Sequence, residues 1–377
     1  MKHPGDTAMR NAVKTDKDRL YDAEEIIRKR NAELTNMARD LKQSKREADT
    51  AEAIRKEIFG IAAHTVAPPE WVSGKGGKLG SRGCPIVMCS DIHYGEKINP
   101  EEVGGLNEFN MEIARKRLYR LFDITVDLAY NHMGRAKTEY PGIVACMGGD
   151  MVGGDIHEEL LATNDRTSHQ SVNDLTDILA GGIEKLASAF GKVFVPCVVG
   201  NHGRSTKKMR MKGRVYTNYD WSIYCNLERY FRKEKHIVIH VPSEADAYFN
   251  PFGRRFMLTH GDSLGVKGGD GIIGAIGPIM RGSLKVGASE AQIGREFDYL
   301  LMGHWHQMLW LPGVIVNNSV KGYDEYARLQ LRAKYSRPSQ ALFFHHPEHG
   351  ITARWEMFLE GQRKAQENAA WVSWQGK

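Results

Sequence analysis

The sequence predicts an α/β domain with buried strands, preceded by a charged helical extension. Three observations predict it. Seven short apolar runs, "PIVMCS", "GIVACM", "KVFVPCVV", "HIVIHV", "RFMLTH", "YLLMGH" and "GVIVNN", alternate with amphipathic stretches such as 109–133 and 171–190. Runs this short and this apolar are strands covered on both faces, and the stretches between them are long enough to be helices. The chain has 377 residues, 41% of them hydrophobic, enough to bury a substantial core. Five of the runs also end in side chains that turn chemistry alone does not call for.

Residues from about 9 to 63 are dense in Lys, Arg, Glu, Asp and Ala and contain no Pro. Leu20, Ile27, Leu34, Leu41 and Ala48 recur every seven residues, which reads as one long helix or two. The companion heptad positions Glu24, Asn31, Ala38 and Lys45 are poor. A solvated helix with one narrow apolar stripe and a helix for self-association or a protein partner both fit. We place the extension at 1–65 and a linker at 66–83, where "VAPPEWVSGKGGKLGSRG" has no periodicity. The α/β domain then runs over 84–360, followed by a polar tail over 361–377.

The net charge of +6 and pI near 8.9 allow a phosphate-bearing partner but fall short of a nucleic-acid coat protein. No stretch approaches the roughly 18 apolar residues of a membrane span, and the first 20 residues lack the apolar centre of a secretory signal, so a cytoplasmic location away from membranes is expected. The five cysteines form no C-x-x-C, and three lie inside apolar runs. They read as reduced core residues, and neither a disulfide framework nor a cysteine zinc site is expected.

The ends of the runs carry the chemistry. "PIVMCS" leads into Asp91 and His93, "GIVACM" into Gly148-Gly149-Asp150, and "KVFVPCVV" into Gly200-Asn201-His202. "RFMLT" leads into His260-Gly261-Asp262, and "YLLM" into Gly303-His304-Trp305-His306. In α/β sheets the carboxyl ends of the strands form the edge where ligands bind. Each motif alone could be a turn or a capping histidine, but five in order predict a metal site. Oxygen and imidazole donors suit two divalent ions 3.5–4 Å apart, with one carboxylate between them to offset their repulsion. In D-x-H and H-x-H, residues i and i+2 of an extended segment would point to one face.

The order D-x-H, GD, GNH, H, GHxH resembles the calcineurin-like metallophosphoesterase superfamily over residues 85–325. The resemblance implies a two-sheet β-sandwich flanked by helices, with a dinuclear centre at its rim and a metal-activated water attacking phosphorus. Manganese is the first expectation for the two ions, with iron or zinc as alternatives. It further implies Asp91, His93 and His306 as ligands of one ion, Asn201, His260 and His304 as ligands of the other, and Asp150 as the bridge. His202 matches the residue that assists the leaving group. Two departures weaken a phosphoprotein-phosphatase assignment. Gly203 stands where an acid often follows GNH, and Gly153-Gly154 stands where the phosphatases show D-R. GGD with a nearby histidine looks more like DNA-repair nuclease subunits.

The run Arg204, Lys207, Lys208, Arg210, Lys212, Arg214 starts beside the expected site and leads into Tyr216, Tyr219, Trp221 and Tyr224. It is expected to contact a polyanion, DNA first, with the aromatics in the core of a helix capped near Thr217 or Asn218. Asn318, Ser319 and Lys321 are candidate phosphate contacts. Residues 264–294 are expected to form a glycine-rich lid with a helical middle. The leading expectation is a phosphodiesterase acting on DNA. The alternatives are a small-molecule or nucleotide phosphatase or phosphodiesterase, and a non-catalytic scaffold working through its N-terminal helix.

Overall fold

The computed structural model describes residues 83–132, 140–264 and 274–361, with a few helical positions between 25 and 39. The chain divides into two units, Met1–Ala62 and Ala63–Lys377. Of the first, the described positions include an exposed Lys29–Glu25 ion pair at 2.8 Å. The heptad stripe, the linker over 66–83 apart from Gly83, and the tail over 361–377 apart from Gly361 lie outside the described residues.

All seven apolar runs are strands: β1 (Cys84–Cys89), β2 (Ile143–Met147), β3 (Val193–Pro196), β4 (Ile237–His240), β6 (Phe256–Leu258), β7 (Tyr299–Met302) and β9 (Val314–Val316). Two three-residue strands, β5 (Ala247–Phe249) and β8 (Leu309–Leu311), and a terminal hairpin, β10 (Ser339–His346) and β11 (Gly350–Phe358), complete the sheets. One sheet has the order β11-β10-β1-β2-β3-β4 and the other β5-β6-β7-β9-β8. In the first, β1, β2, β3 and β4 are parallel; in the second, β6, β7 and β9 are parallel.

Side-chain alternation stacks the two sheets. Ile86 and Met88 of β1, Phe194 of β3, Phe256 and Leu258 of β6, Leu301 of β7 and Ile315 of β9 share one buried core. The intervening residues Met257, Leu300, Met302, Val314 and Val316 point the other way, against Ile279. Period-two alternation thus gives the second sheet two dry faces. Ile279 belongs to helix α5 (Ile276–Gln292), one of six α-helices among the described residues of 83–361. The others are α1 (Met111–Asp127), α2 (Glu158–Thr163), α3 (Ser168–Phe190), α4 (Tyr219–Phe231) and α6 (Glu325–Leu329). On the first sheet, α3 packs against α1, α4 and β3, and α4 against β4. The architecture is a two-sheet β-sandwich flanked by helices, as expected.

Caps begin the helices where the sequence signals them. Thr167 and Gln170 form a reciprocal capping box on α3, and Asn218 accepts from the Asp220 N–H at the start of α4. The 264–294 segment contains the expected helical stretch. Residues 276–292 are one continuous helix, because Pro278, Ile279 and Ser283 give it a buried side; residues 265–273 lie outside the described residues. All five cysteines are buried free thiols. No helix among the described residues is long and apolar enough to cross a membrane.

Candidate metal centre

Because β1, β2 and β3 run parallel, their carboxyl ends share one edge, and β6, β7 and β9 bring a second set of ends beside them. Backbone bonds continue past the strands and stitch these loops together. Asp91 N–H donates to Gly149 O at 3.0 Å, His93 N–H to Asp150 O at 3.0 Å, and Gly303 N–H to His260 O at 3.0 Å. Across the sheets, His304 N–H donates to Asp91 Oδ1 at 2.8 Å. Glycine is required where these loops touch. A Cβ at Gly200 would lie 2.1 Å from Asp150 Oδ1, and one at Gly303 2.2 Å from Asp91 Oδ2.

Among the described residues, the structure gathers Asp91, His93 and His306 into one cluster and Asp150, His260 and His304 into another, each with donor atoms within 4.8 Å of one another. His93 Nε2 and His306 Nε2 approach to 3.2 Å, and His306 Nε2 lies 3.4 Å from Asp91 Oδ1. His260 Nε2 lies 3.1 Å from both Asp150 Oδ2 and Asn201 Oδ1. Asp150 Oδ2 is also 3.9 Å from His93 Nε2, so this carboxylate of the second cluster also faces the first. Every residue expected as a ligand is therefore in one place.

The way they get there differs from the expectation of an extended D-x-H. Seven non-glycine residues among those described have positive φ, and five are Asp91, His93, Asp150, His304 and His306, at φ of 50–68°. This left-handed conformation costs about 1–2 kcal/mol per residue, and its concentration at one rim is the mark of a functional site. The chain folds each side chain back over the strand ends.

The donor set fits divalent cations. His93 Nδ1 lies 2.7 Å from Glu96 Oε1, and His260 Nδ1 lies 2.8 Å from Gly148 O. With Nδ1–H donating to these oxygens, both Nε2 lone pairs face the centre, the usual setting of a metal-ligating histidine. His260 Nε2 then confronts two oxygens that are themselves acceptors, an arrangement only a proton or a cation satisfies. The electrostatics agree. Burial pushes the His260 imidazole down, but Asp150, with Asp91 and Asp262, overrides this and holds it up to about 10. Burial raises Asp150, but His260 and His202 outweigh it and hold the carboxyl well below the usual range. His93 and His304 are held neutral, down to about 4, by burial and then by Lys321 and His260 respectively.

A metal bound there must displace the His260 proton, which is retained at any pH below about 10. Calorimetric titration with Mn²⁺ at pH 7 in buffers of different ionisation enthalpy should report about one proton released per chain from this group. A buffer-independent enthalpy would contradict the arrangement.

His202 is half-buried beside the clusters. Its N–H donates to Asp150 Oδ1 at 2.6 Å, its Nδ1 lies 3.3 Å from Gly153 O, and its ring is 4.5 Å from that of His93. The candidate substrate contacts are placed differently from the expectation. Arg204 donates to the carbonyls of Asn201, Thr206 and Lys207, and so braces its own loop. Arg214 makes a two-pronged ion pair with Asp262 at 2.9–3.1 Å. Lys207 and Lys208 are exposed, with Lys207 3.6 Å from Glu158, and Arg210 is half-buried. Asn318 and Ser319 are buried: Asn318 Nδ2 lies 2.8–2.9 Å from Ser336 Oγ, Arg337 O and Ser339 Oγ, and Ser319 Oγ donates to Asp91 O. These two hold the strand ends in place and present no group to a phosphate.

Sequence reasoning missed Asp220 and Glu96. Asp220 is fully buried and accepts the N–H groups of Asp150, Met151 and Gly200 at 2.9–3.1 Å, tying the GGD and GNH loops to α4. As the second residue of a helix it looks like an ordinary first-turn acid. Burial, then Asp150, raises its pKa to about 7, from 3.8. A raised folded-state pKa means stability fully present below about pH 4 and lost as pH rises through about 7. Metal-free wild type should therefore lose stability relative to Asp220→Asn between pH 5 and 8, by on the order of 2–4 kcal/mol. Thermal melts in which the two proteins keep a constant difference would contradict this.

No protein-family profile matches the chain, and no curated protein matches it. Among solved structures it is similar to a protein assigned as a 5'-nucleotidase from Staphylococcus aureus, in complex with alpha-ketoglutarate. That similarity has 10% identity and a TM-score of 0.32, covering 75% of this chain and 56% of that one. It is also similar to the sulfate thiohydrolase SoxB of Thermus thermophilus, in complex with glycerol, at 8% identity and a TM-score of 0.31, covering 74% of this chain and 57% of that one. The chain matches little more than half the length of either protein. At these scores neither likeness says what this chain does, and the functional reading rests on the site itself.

Proposed function

We propose that the chain is a metal-dependent phosphoesterase of the calcineurin-like type, holding two divalent ions and hydrolysing a nucleotide or another small phosphate ester. One observation carries this reading. Two clusters of three donors, Asp91-His93-His306 and Asp150-His260-His304, adjoin through Asp150, which also faces His93 of the first, and His202 is hydrogen-bonded to that carboxylate through its backbone. Asp91, His93 and His306 would hold one ion, and Asn201, His260 and His304 the other, with Asp150 between them. Such a pair of ions would supply Lewis acidity to the phosphate and to the attacking water. The chain's own residues do the rest. Asp150 offsets the two positive charges, and Glu96 and Gly148 fix the ring orientations of His93 and His260. His202 Nδ1 faces Gly153 O and Glu96, which leaves Nε2 as the nitrogen that can pass a proton to the departing oxygen.

The substrate is assigned from what the basic run does. A polynucleotide track needs cations free to meet successive phosphates, but Arg204 and Arg214 at its two ends are committed to the protein, which leaves Lys207, Lys208 and Lys212 as the exposed cations of the run. Asn318 and Ser319 are likewise committed. This supports a small ester over DNA. The test is the Mn²⁺-loaded protein against nucleoside monophosphates, p-nitrophenyl phosphate, bis-p-nitrophenyl phosphate, and single- and double-stranded DNA. Hydrolysis of the small esters without DNA cleavage is expected. Efficient DNA cleavage would restore the nuclease reading, and no hydrolysis at all would favour a scaffold.

A further inference from the structure

Two glycines stand where the motif pattern often has acids, Gly203 directly after His202 and Gly153 at the third position after Asp150. The structure supplies a carboxylate from elsewhere. Glu96, three residues after His93, is buried, and its Oε1 accepts from His93 Nδ1 at 2.7 Å while lying 3.8 Å from His202 Nδ1. Its Oε2 accepts from Lys321 Nζ at 2.8 Å, and the same ammonium lies 2.8 Å from Asp324 Oδ2. One buried cation thus serves two carboxylates, which leaves a net negative charge facing the two imidazoles. Burial would raise the Glu96 carboxyl, but Lys321 and His93 overcome it and hold it below the usual range, so it stays charged.

The missing side chain at position 153 makes room for this carboxylate. A Cβ on Gly153 would lie 2.5 Å from Glu96 Cγ and 3.2 Å from Oε1. The glycine that departs from the phosphatase pattern and the glutamate that sequence reading passed over therefore form one packing unit.

We propose that Glu96 is the positioning carboxylate of the centre, fixing the metal ligand His93 and facing the proton donor His202 with one oxygen, in space that Gly153 leaves open. The His202 half rests on the phosphoesterase reading; the His93 half rests on metal binding alone. Glu96 touches neither substrate nor metal in this role and acts through the two rings.

The experiment uses the full chain and the variants Glu96→Gln, Glu96→Ala, Gly153→Ala and the double variant Glu96→Ala/Gly153→Ala. Mn²⁺ affinity is measured by calorimetry, and turnover on aryl phosphates of graded leaving-group pKa. Glu96→Ala should weaken Mn²⁺ binding about 10–100-fold. Glu96→Gln can still accept from His93 and should bind Mn²⁺ within about 3-fold of wild type, yet lose about 10-fold or more in kcat on poor leaving groups and less on p-nitrophenyl phosphate. Gly153→Ala should resemble Glu96→Ala, and the double variant should be little worse than either, because the first displaces the carboxylate that the second removes. Wild-type Mn²⁺ affinity in Glu96→Ala, or losses that simply add in the double variant, would overturn the proposal. If wild type hydrolyses no ester, the phosphoesterase reading and the His202 half fall together, and the calorimetry still decides the His93 half.

Discussion

Replacing Asp150 by Asn is expected to abolish turnover, lowering kcat/KM by about 10³-fold or more, while the fold survives. Asn is nearly isosteric, and the backbone N–H that Asp150 donates to Asp220 at 3.0 Å is retained. What is lost is the charge between the two clusters. At about 4 Å, two dications repel through a Coulomb energy that scales with the product of their charges, and only an anion between them makes the pair tolerable. The carboxylate also sets the field at His260, 3.1 Å away. Elemental analysis of the dialysed variant should find fewer than two metal ions per chain. A variant with full activity would refute the bridging role.

Substituting His202 by Ala should separate catalysis from metal binding. The hydrogen bond that His202 makes to a ligand is its backbone N–H to Asp150 Oδ1, which alanine keeps. Metal content should therefore stay at wild type while kcat falls about 10²–10⁴-fold, the usual worth of a positioned acid or base. The loss should deepen as the leaving group becomes more basic, because a poor leaving oxygen depends most on receiving a proton. Steady-state kinetics over a series of aryl phosphates, with metal analysis alongside, checks both parts. Loss of bound metal would make His202 a ligand instead.

The parts of the fold that were legible in the sequence are those where burial dictates composition. β1, β2, β3, β6, β7 and β9 are buried almost throughout, and their unbroken apolar runs could be little else. The strand β11 escaped because it lies at a sheet edge, where "GITARWEMF" mixes Arg and Glu with apolar residues and is exposed at alternate positions. β5 and β8 escaped because three residues show no period. The glycines of 276–292 masked the full length of α5, on whose buried side Gly282 lies.

The candidate site divides in the same way. Asp91, His93, Asp150, Asn201, His260, His304 and His306 were legible because imidazoles and carboxylates after apolar runs are chemically costly to place without a purpose. Their left-handed backbone was not, since it comes from bonds between loops remote in sequence, such as His304 N–H to Asp91 Oδ1 at 2.8 Å. Nor was the fate of the basic run. Arg214 finds Asp262 across 48 residues of chain, and no local pattern announces that pairing.

Whether two metal ions occupy this rim is the question on which everything else depends, and anomalous diffraction from crystals of the full chain grown with Mn²⁺ answers it most directly. Two peaks are predicted, about 3.5–4 Å apart, one bordered by Asp91, His93 and His306, the other by Asn201, His260 and His304, with Asp150 between them. A single peak, or none at these residues, would contradict the dinuclear centre.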